Sequence, residues 1–186
     1  MSNFNPAHFV RPMRGFSIVE LMIALAVAAI LVALAVPSFR GVIMNSNVTE
    51  LNNELTYALN LARSEAVRRG TVVEVKSAGG GASWNSGWSV IADTGYTTNF
   101  SGALTTISQQ GAVPSTYTVC ASSSGGSAGA VIFTATGTQP TGTSSFDINV
   151  NRPDANKSLS RHLSVGASGA VKSQSDTTGS PAPSNC

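Results

Sequence analysis

The sequence predicts an α+β protein in which one long, kinked N-terminal helix packs its second half against an antiparallel β-sheet domain. Three observations predict it. An unbroken apolar run lies near the N-terminus, a stretch with apolar residues at three- and four-residue spacing follows, and short β-rich runs separated by Gly, Ser and Asn begin at Thr71. The chain has 186 residues, of which 42% are hydrophobic and 11% charged. That length suits one domain with an appendage. The charge content is less than half the roughly 25% of ordinary soluble domains, which disfavours a cytosolic enzyme. Ser, Thr, Gly and Asn crowd the second half, as in extracytoplasmic proteins.

The first element is the apolar run. Leu21 to Val36 holds sixteen positions without a polar side chain, and Phe16 to Phe39 gives 24 residues with one charge, Glu20. At about 1.5 Å per residue such a helix is roughly 36 Å long, enough to span a bilayer. A secretory signal places its cleavage site after the apolar core. Here Arg11, Arg14 and the small Gly15 come immediately before it, so cleavage after Gly15 leaves the membrane helix in the mature protein. The chain has 11 basic and 9 acidic residues, and removing residues 1–15 takes away two arginines, leaving nine of each. The net +2 belongs to the leader. Its arginines also orient the helix, with the leader in the cytoplasm and everything after Arg40 outside.

Arg14-Gly15-Phe16-Ser17-Ile18-Val19-Glu20-Leu21, followed by the apolar run and Pro37, resembles the class III leader and N-terminal helix of type IV pilins and type II secretion pseudopilins. The resemblance implies that prepilin peptidase cuts after Gly15 and that the new N-terminal Phe16 is N-methylated. Met13 offers a second start that leaves this site unchanged. Glu20 becomes the fifth mature residue. A carboxylate on an apolar helix costs on the order of a few kcal/mol in a membrane unless neutralised or paired. Two readings of it stand. The resemblance implies that it pairs with the free amine of a neighbouring subunit's Phe16 and sets the stagger of a filament. Ser17-x-x-Glu20 is also the spacing of a local capping box.

The helix continues past Pro37, which removes a backbone bond and predicts a kink. Val48, Leu51, Leu55, Ala58, Leu59, Ala62 and Ala66 form an apolar face, opposed by Asn52, Asn53, Glu54, Asn60, Arg63, Glu65 and Arg68. Gly70 beside Arg68 and Arg69 supplies the stop. The expected helix is Phe16–Arg69. Its halves divide as 16–39 for membrane or filament core and 40–70 for an amphipathic half that covers a sheet. The stretch from Leu59 to Gly70, with Ala62-Arg63-Ser64-Glu65-Ala66, resembles the FimT/GspH family of minor pilins and pseudopilins. So do Trp84 to Asp93 and Phe133-Thr134-Ala135-Thr136-Gly137.

Region 71–186 reads as the external β domain, with a Ser/Gly/Pro tail from about 175. Strands are expected near Thr71–Lys76, Trp88–Ala92, Ala103–Gln109, Thr116–Ala121, Ala130–Ala135, Phe146–Val150, Arg161–Val165 and Ala170–Ser173. Trp84 and Trp88, four apart before a strand, read as core and turn packing rather than a binding platform. In an oxidising compartment Cys120 and Cys186 can pair. Closing a loop of about 66 residues contributes up to roughly 4 kcal/mol in the chain-entropy model and staples the tail to the sheet. The alternative is two thiols, with Cys120 a small buried hydrophobe.

Catalytic chemistry finds little support. His162 is the sole histidine after processing, with no Cys or carboxylate at ligand spacing, so no metal or cofactor is expected. There is no Gly-x-Ser-x-Gly elbow, and Gly79-Gly80-Gly81 lacks the Lys of a phosphate loop and reads as a turn. One patch remains. Arg152, Lys157, Arg161 and Lys172, opposed over that stretch by Asp154, carry a local excess of positive charge that could track a phosphate backbone. The resembled family includes members that bind DNA during natural transformation through a C-terminal Gly-Arg-x-Arg element. Here Gly169-Ala170-Val171-Lys172 keeps the glycine and the second charge and loses the first arginine. The competing reading is a solvated face or subunit contact.

The expected function is that of an inner-membrane-anchored minor pilin or pseudopilin that assembles into, primes or caps a type IV pilus or type II secretion pseudopilus. Its expected partners are prepilin peptidase and other pilins. The alternative is a pilus-associated DNA receptor.

Overall fold

The computed structural model describes residues 15–95, 102–125, 127–143, 145–154 and 159–175, and at 36–38 the backbone alone. Helix α1 spans Ile18–Arg69. Eight strands follow: β1 Val72–Ser77, β2 Trp88–Asp93, β3 Leu104–Gln110, β4 Thr118–Ser124, β5 Ala130–Phe133, β6 Ser145–Asn151, β7 Arg161–Gly166 and β8 Val171–Ser175. Each strand overlaps a run read from pattern. The helix begins after Ser17, whose carbonyl accepts the first helical bond from the Leu21 amide at 3.1 Å, the role of an N-cap residue. The leader 1–14, Lys157 and the tail from 176 with Cys186 lie outside the described residues, as does the side chain of Pro37.

The chain divides after Gly41 into two compact units. In the first, the helix from Ile18 onward is long and apolar enough to cross a membrane. Its large hydrophobics are exposed, Ile18 at 80% and Leu34 at 73%.

In the second unit, beginning at Val42, the same helix buries one face. All seven residues of the expected apolar face are buried, with Val48, Leu55, Leu59, Ala62 and Ala66 fully so. Burying each leucine contributes about 1.5–3 kcal/mol. Asn52 departs from the expected polar face. It is buried and its Oδ1 accepts a hydrogen bond from Ser173 Oγ at 3.0 Å, tying helix to sheet. The helix ends as the Gly70 signal predicts. Gly70 takes φ 64°, its amide donates to Val67 O, and the Thr71 amide donates to Ala66 O, a Schellman arrangement.

The predicted β domain consists of two four-stranded antiparallel sheets, ordered β3-β2-β1-β5 and β4-β6-β7-β8. The chain switches sheets at β4, again at β5 and again at β6, so strands adjacent in sequence are not always neighbours in space. The helix face shares one core with Val73, Val75 and Phe133 of the first sheet and Phe146, Ile148 and Leu163 of the second. Trp84, fully buried, joins that core edge-on to Phe146 with ring centroids 5.9 Å apart, and its Nε1 donates to Ala128 O. Trp88 is 2% exposed. Both tryptophans are packing residues.

Candidate functional site

The N-terminal end of α1 gathers the residues singled out for assembly. Gly15, Phe16 and Ser17 precede the helix, and Phe16 is 76% exposed. Glu20 sits in the first turn on a surface of exposed Ile18, Val19, Leu21 and Met22. Ser17 and Glu20 have capping-box spacing, but the expected side-chain hydrogen bonds between them are absent. Glu20 makes no hydrogen bond or ion pair with any described residue. Its carboxylate is thus held on an apolar surface without a counter-charge among the described residues, where a cation from elsewhere can reach it.

The described members of the C-terminal basic set, Arg152, Arg161 and Lys172, do not form one patch. Arg152 is 6% exposed, and its Nε and Nη2 donate to the Asp154 carboxylate at 3.0 and 2.7 Å. A phosphate strand outside cannot reach it, so Arg152 leaves the set of surface cations expected from sequence. Across β7 and β8, Arg161 is opposite Ser175 and Lys172 opposite Ser164. Opposed residues share a face and successive ones alternate. Arg161 therefore lies on the face of buried Leu163 and Val165, where its Nη1 donates to Ser175 Oγ at 2.7 Å. Lys172 lies on the opposite face with His162, whose Nε2 is 3.2 Å from Asp147 Oδ1.

The glycine of the Gly169–Lys172 element has a packing reason. Gly169 takes φ +73°, and a Cβ there would sit 2.0 Å from Gly137 O. That carbonyl accepts from Arg63 Nε at 3.0 Å, and Arg63 Nη2 donates to Ser168 O at 3.3 Å. Arg63, on the polar face of the helix, clamps two loops to it. The long range of these contacts, 74 and 105 residues along the chain, hid them from any local pattern.

Cys120 on β4 is 1% exposed, and no cysteine among the described residues is free. The described residues contain no group of three or more His, Cys, Asp or Glu that could hold a metal ion. Sequence reasoning also missed a groove of about 300 Å³ between α1 and the segment after β3, lined by Glu50, Leu51, Glu54, Gln110, Gly111 and Pro114. One wall is fixed by Asn47, whose Nδ2 donates to the Tyr117 hydroxyl at 3.0 Å. Burial pushes the Glu54 carboxyl above its ordinary range, and the Glu50 charge one turn away adds to the shift. Two acids four apart on a helix were legible; the wall that makes them a groove was not.

A family model described as type II transport protein GspH matches residues 52–169. A model of the prokaryotic N-terminal methylation motif matches residues 11–36, the stretch that contains Gly15, Phe16 and Glu20. Curated proteins give no match. Two crystal forms of the type IV minor pilin FimU of Pseudomonas aeruginosa are similar in fold. The first is 22% identical over 77% of this chain and 94% of that chain, with a TM-score of 0.52. The second is 22% identical over 76% and 98%, with a TM-score of 0.50.

Proposed function

Because the chain belongs to the GspH family of minor pilins and pseudopilins, and carries an N-terminal methylation motif, we propose that it works as a processed, membrane-stored subunit of a pilus or secretion pseudopilus. In this reading prepilin peptidase cuts after Gly15 and the amine of Phe16 is methylated. The apolar half of α1 anchors the chain in the inner membrane with the β domain outside, in the periplasm before assembly and extracellular once in a pilus. On assembly that half leaves lipid for the company of other subunits' helices, and Glu20 takes the Phe16 amine of a neighbour as its counter-charge. The subunit primes or caps the filament. Pairing of Cys120 with Cys186 belongs to the same reading, since the β domain works in an oxidising compartment. No catalytic step is part of it.

The observation that carries this reading is Glu20, a carboxylate without a partner among the described residues, on a helix surface otherwise made of exposed hydrophobics. Desolvating it in a bundle is costly unless a cation arrives with it, so it selects a staggered neighbour over free association. Glu20→Ala is expected to leave cleavage after Gly15 intact by mass spectrometry and to reduce incorporation into filaments at least tenfold by immunoblot of sheared fractions. Wild-type incorporation of the variant would overturn the assembly role of Glu20. The DNA-receptor alternative is weakened by the separation of Arg161 and Lys172 onto opposite faces and by the internal pairing of Arg152.

A further inference from the structure

The four outer edges of the two sheets differ in how they are protected. The free side of β4 is closed by the segment before β2: the Trp84 amide donates to Val119 O, the Ala121 amide to Ala82 O, and Asn85 Oδ1 accepts from the Val119 amide. Strand β5 is only four residues long, and β8 carries the exposed Lys172. Among the described residues strand β3 has none of these protections. Its seven residues, Leu-Thr-Thr-Ile-Ser-Gln-Gln, include no charge and no proline, none of them is buried, and β2 is its sole strand neighbour among the described residues. Proteins ordinarily guard such an edge, because its unpaired amides and carbonyls template another strand.

The edge leads into the groove. Gln110 ends β3 and lines the groove together with Gly111, Glu50 and Glu54. Neither glutamate forms an ion pair with a described residue, and like charges one helical turn apart repel. A cation delivered there relieves the repulsion, and a strand laid on β3 satisfies the open edge. One ligand can do both.

We propose that β3 and the acidic groove form a continuous docking site for an extended segment of a partner protein, antiparallel to β3, with uncharged β-forming residues and a Lys or Arg just before them. Antiparallel pairing continues the pattern of the sheet and puts the partner's N-terminal end opposite Gln110, which is why the cation precedes the strand. The backbone supplies the affinity, and the groove supplies direction and register. The proposal stands on the edge and the groove and does not depend on the assembly role of Glu20.

The alternation of β3 identifies the amides to test. The Thr94 amide donates to Ala103 O, so Ala103 and Thr105 face β2 while Leu104 and Thr106 turn their amides outward. The probe is a fluorescein-labelled peptide, Arg-Gly-Thr-Val-Thr-Val-Thr, titrated by anisotropy into the processed full chain in detergent. The expected result is saturable binding, with hydrogen-exchange protection appearing at 104–110. The reversed peptide, Thr-Val-Thr-Val-Thr-Gly-Arg, and the double variant Glu50→Gln/Glu54→Gln should each bind about tenfold more weakly. Thr106→Pro should abolish binding. Thr106→Lys, which keeps the backbone donor and adds a guarding charge at an exposed position, should weaken binding without altering the melting curve. Absence of binding up to millimolar peptide would overturn the proposal, as would equal binding of both peptide orders without protection of β3. Light scattering that shows β3 pairing two copies of this chain in place of the peptide would overturn it too.

Discussion

The two stretches of α1 belong to one continuous helix and meet opposite fates. From Ile18 to Leu34 the large hydrophobics are exposed, whereas from Val48 to Ala66 the apolar residues at three- and four-residue spacing are buried within the chain. The difference lies in the polar residues. The back half interleaves Asn53, Glu54, Asn60 and Glu65 among its apolar positions, so one face suffices to bury them and the other meets water. The front half is apolar all round, and no single sheet can cover such a cylinder. It needs lipid or other helices on every side. Exposed apolar surface is therefore a defect in one half and a working surface in the other, and Glu20 is the one charge between Ile18 and Phe39.

Breaking the comparison should give the largest effect in the back half. Leu55→Ala deletes a fully buried side chain at the centre of the shared core, and the expected loss is about 2–5 kcal/mol of domain stability, read from urea unfolding in detergent. Leu25→Ala, the same chemistry at a position 62% exposed, should leave that transition unmoved and show its effect in filament incorporation alone. Equal destabilisation by both would overturn the division of the helix into an exposed half and a buried half.

A second, smaller effect sharpens the account of the basic element. Gly169→Ala forces a Cβ against Gly137 O at a left-handed backbone position and displaces the Arg63 clamp, so a loss of about 2 kcal/mol is expected. Lys172→Ala should cost nothing measurable in stability. If Gly169→Ala melts like the wild type, the glycine is kept for a reason other than packing.

The smallest effect tests the outward side of the first sheet. Glu74 on β1 is 6% exposed and lies opposite Ile91 and Ile132, and burial raises its carboxyl above the ordinary range while Lys76 partly offsets this. A raised folded-state value means that the fold favours the protonated acid. The wild type is then most favoured below the unfolded value, near pH 4, and loses that advantage as pH rises through the folded value. Glu74→Gln should match the wild type in Tm near pH 3.5 and exceed it by a few degrees at pH 7. An unchanged difference between the two across that range would show that Glu74 carries no such penalty.

The sequence by itself determined the elements. Periodicity of 3.6 and 2 residues is a property of the local backbone, so the helix from its Ser17 cap to its Gly70 stop and all eight strands could be read from side-chain order. The leader order and the motif around Gly15 and Glu20 were equally legible, because they are contiguous. What only the tertiary structure decided depends on partners distant in sequence. Nothing local distinguishes one sheet from two, since strand order rests on which edges meet after the chain has crossed between sheets at β4, β5 and β6. Four cations close in sequence looked like one patch, yet strand alternation sends Arg161 and Lys172 to opposite faces, and Arg152 turns inward to Asp154. The groove between Glu50, Glu54 and Gln110 exists because a helix and a loop nearly sixty residues apart in the chain are brought side by side. Composition and spacing fix what each segment can become, and packing decides which side chains share a surface.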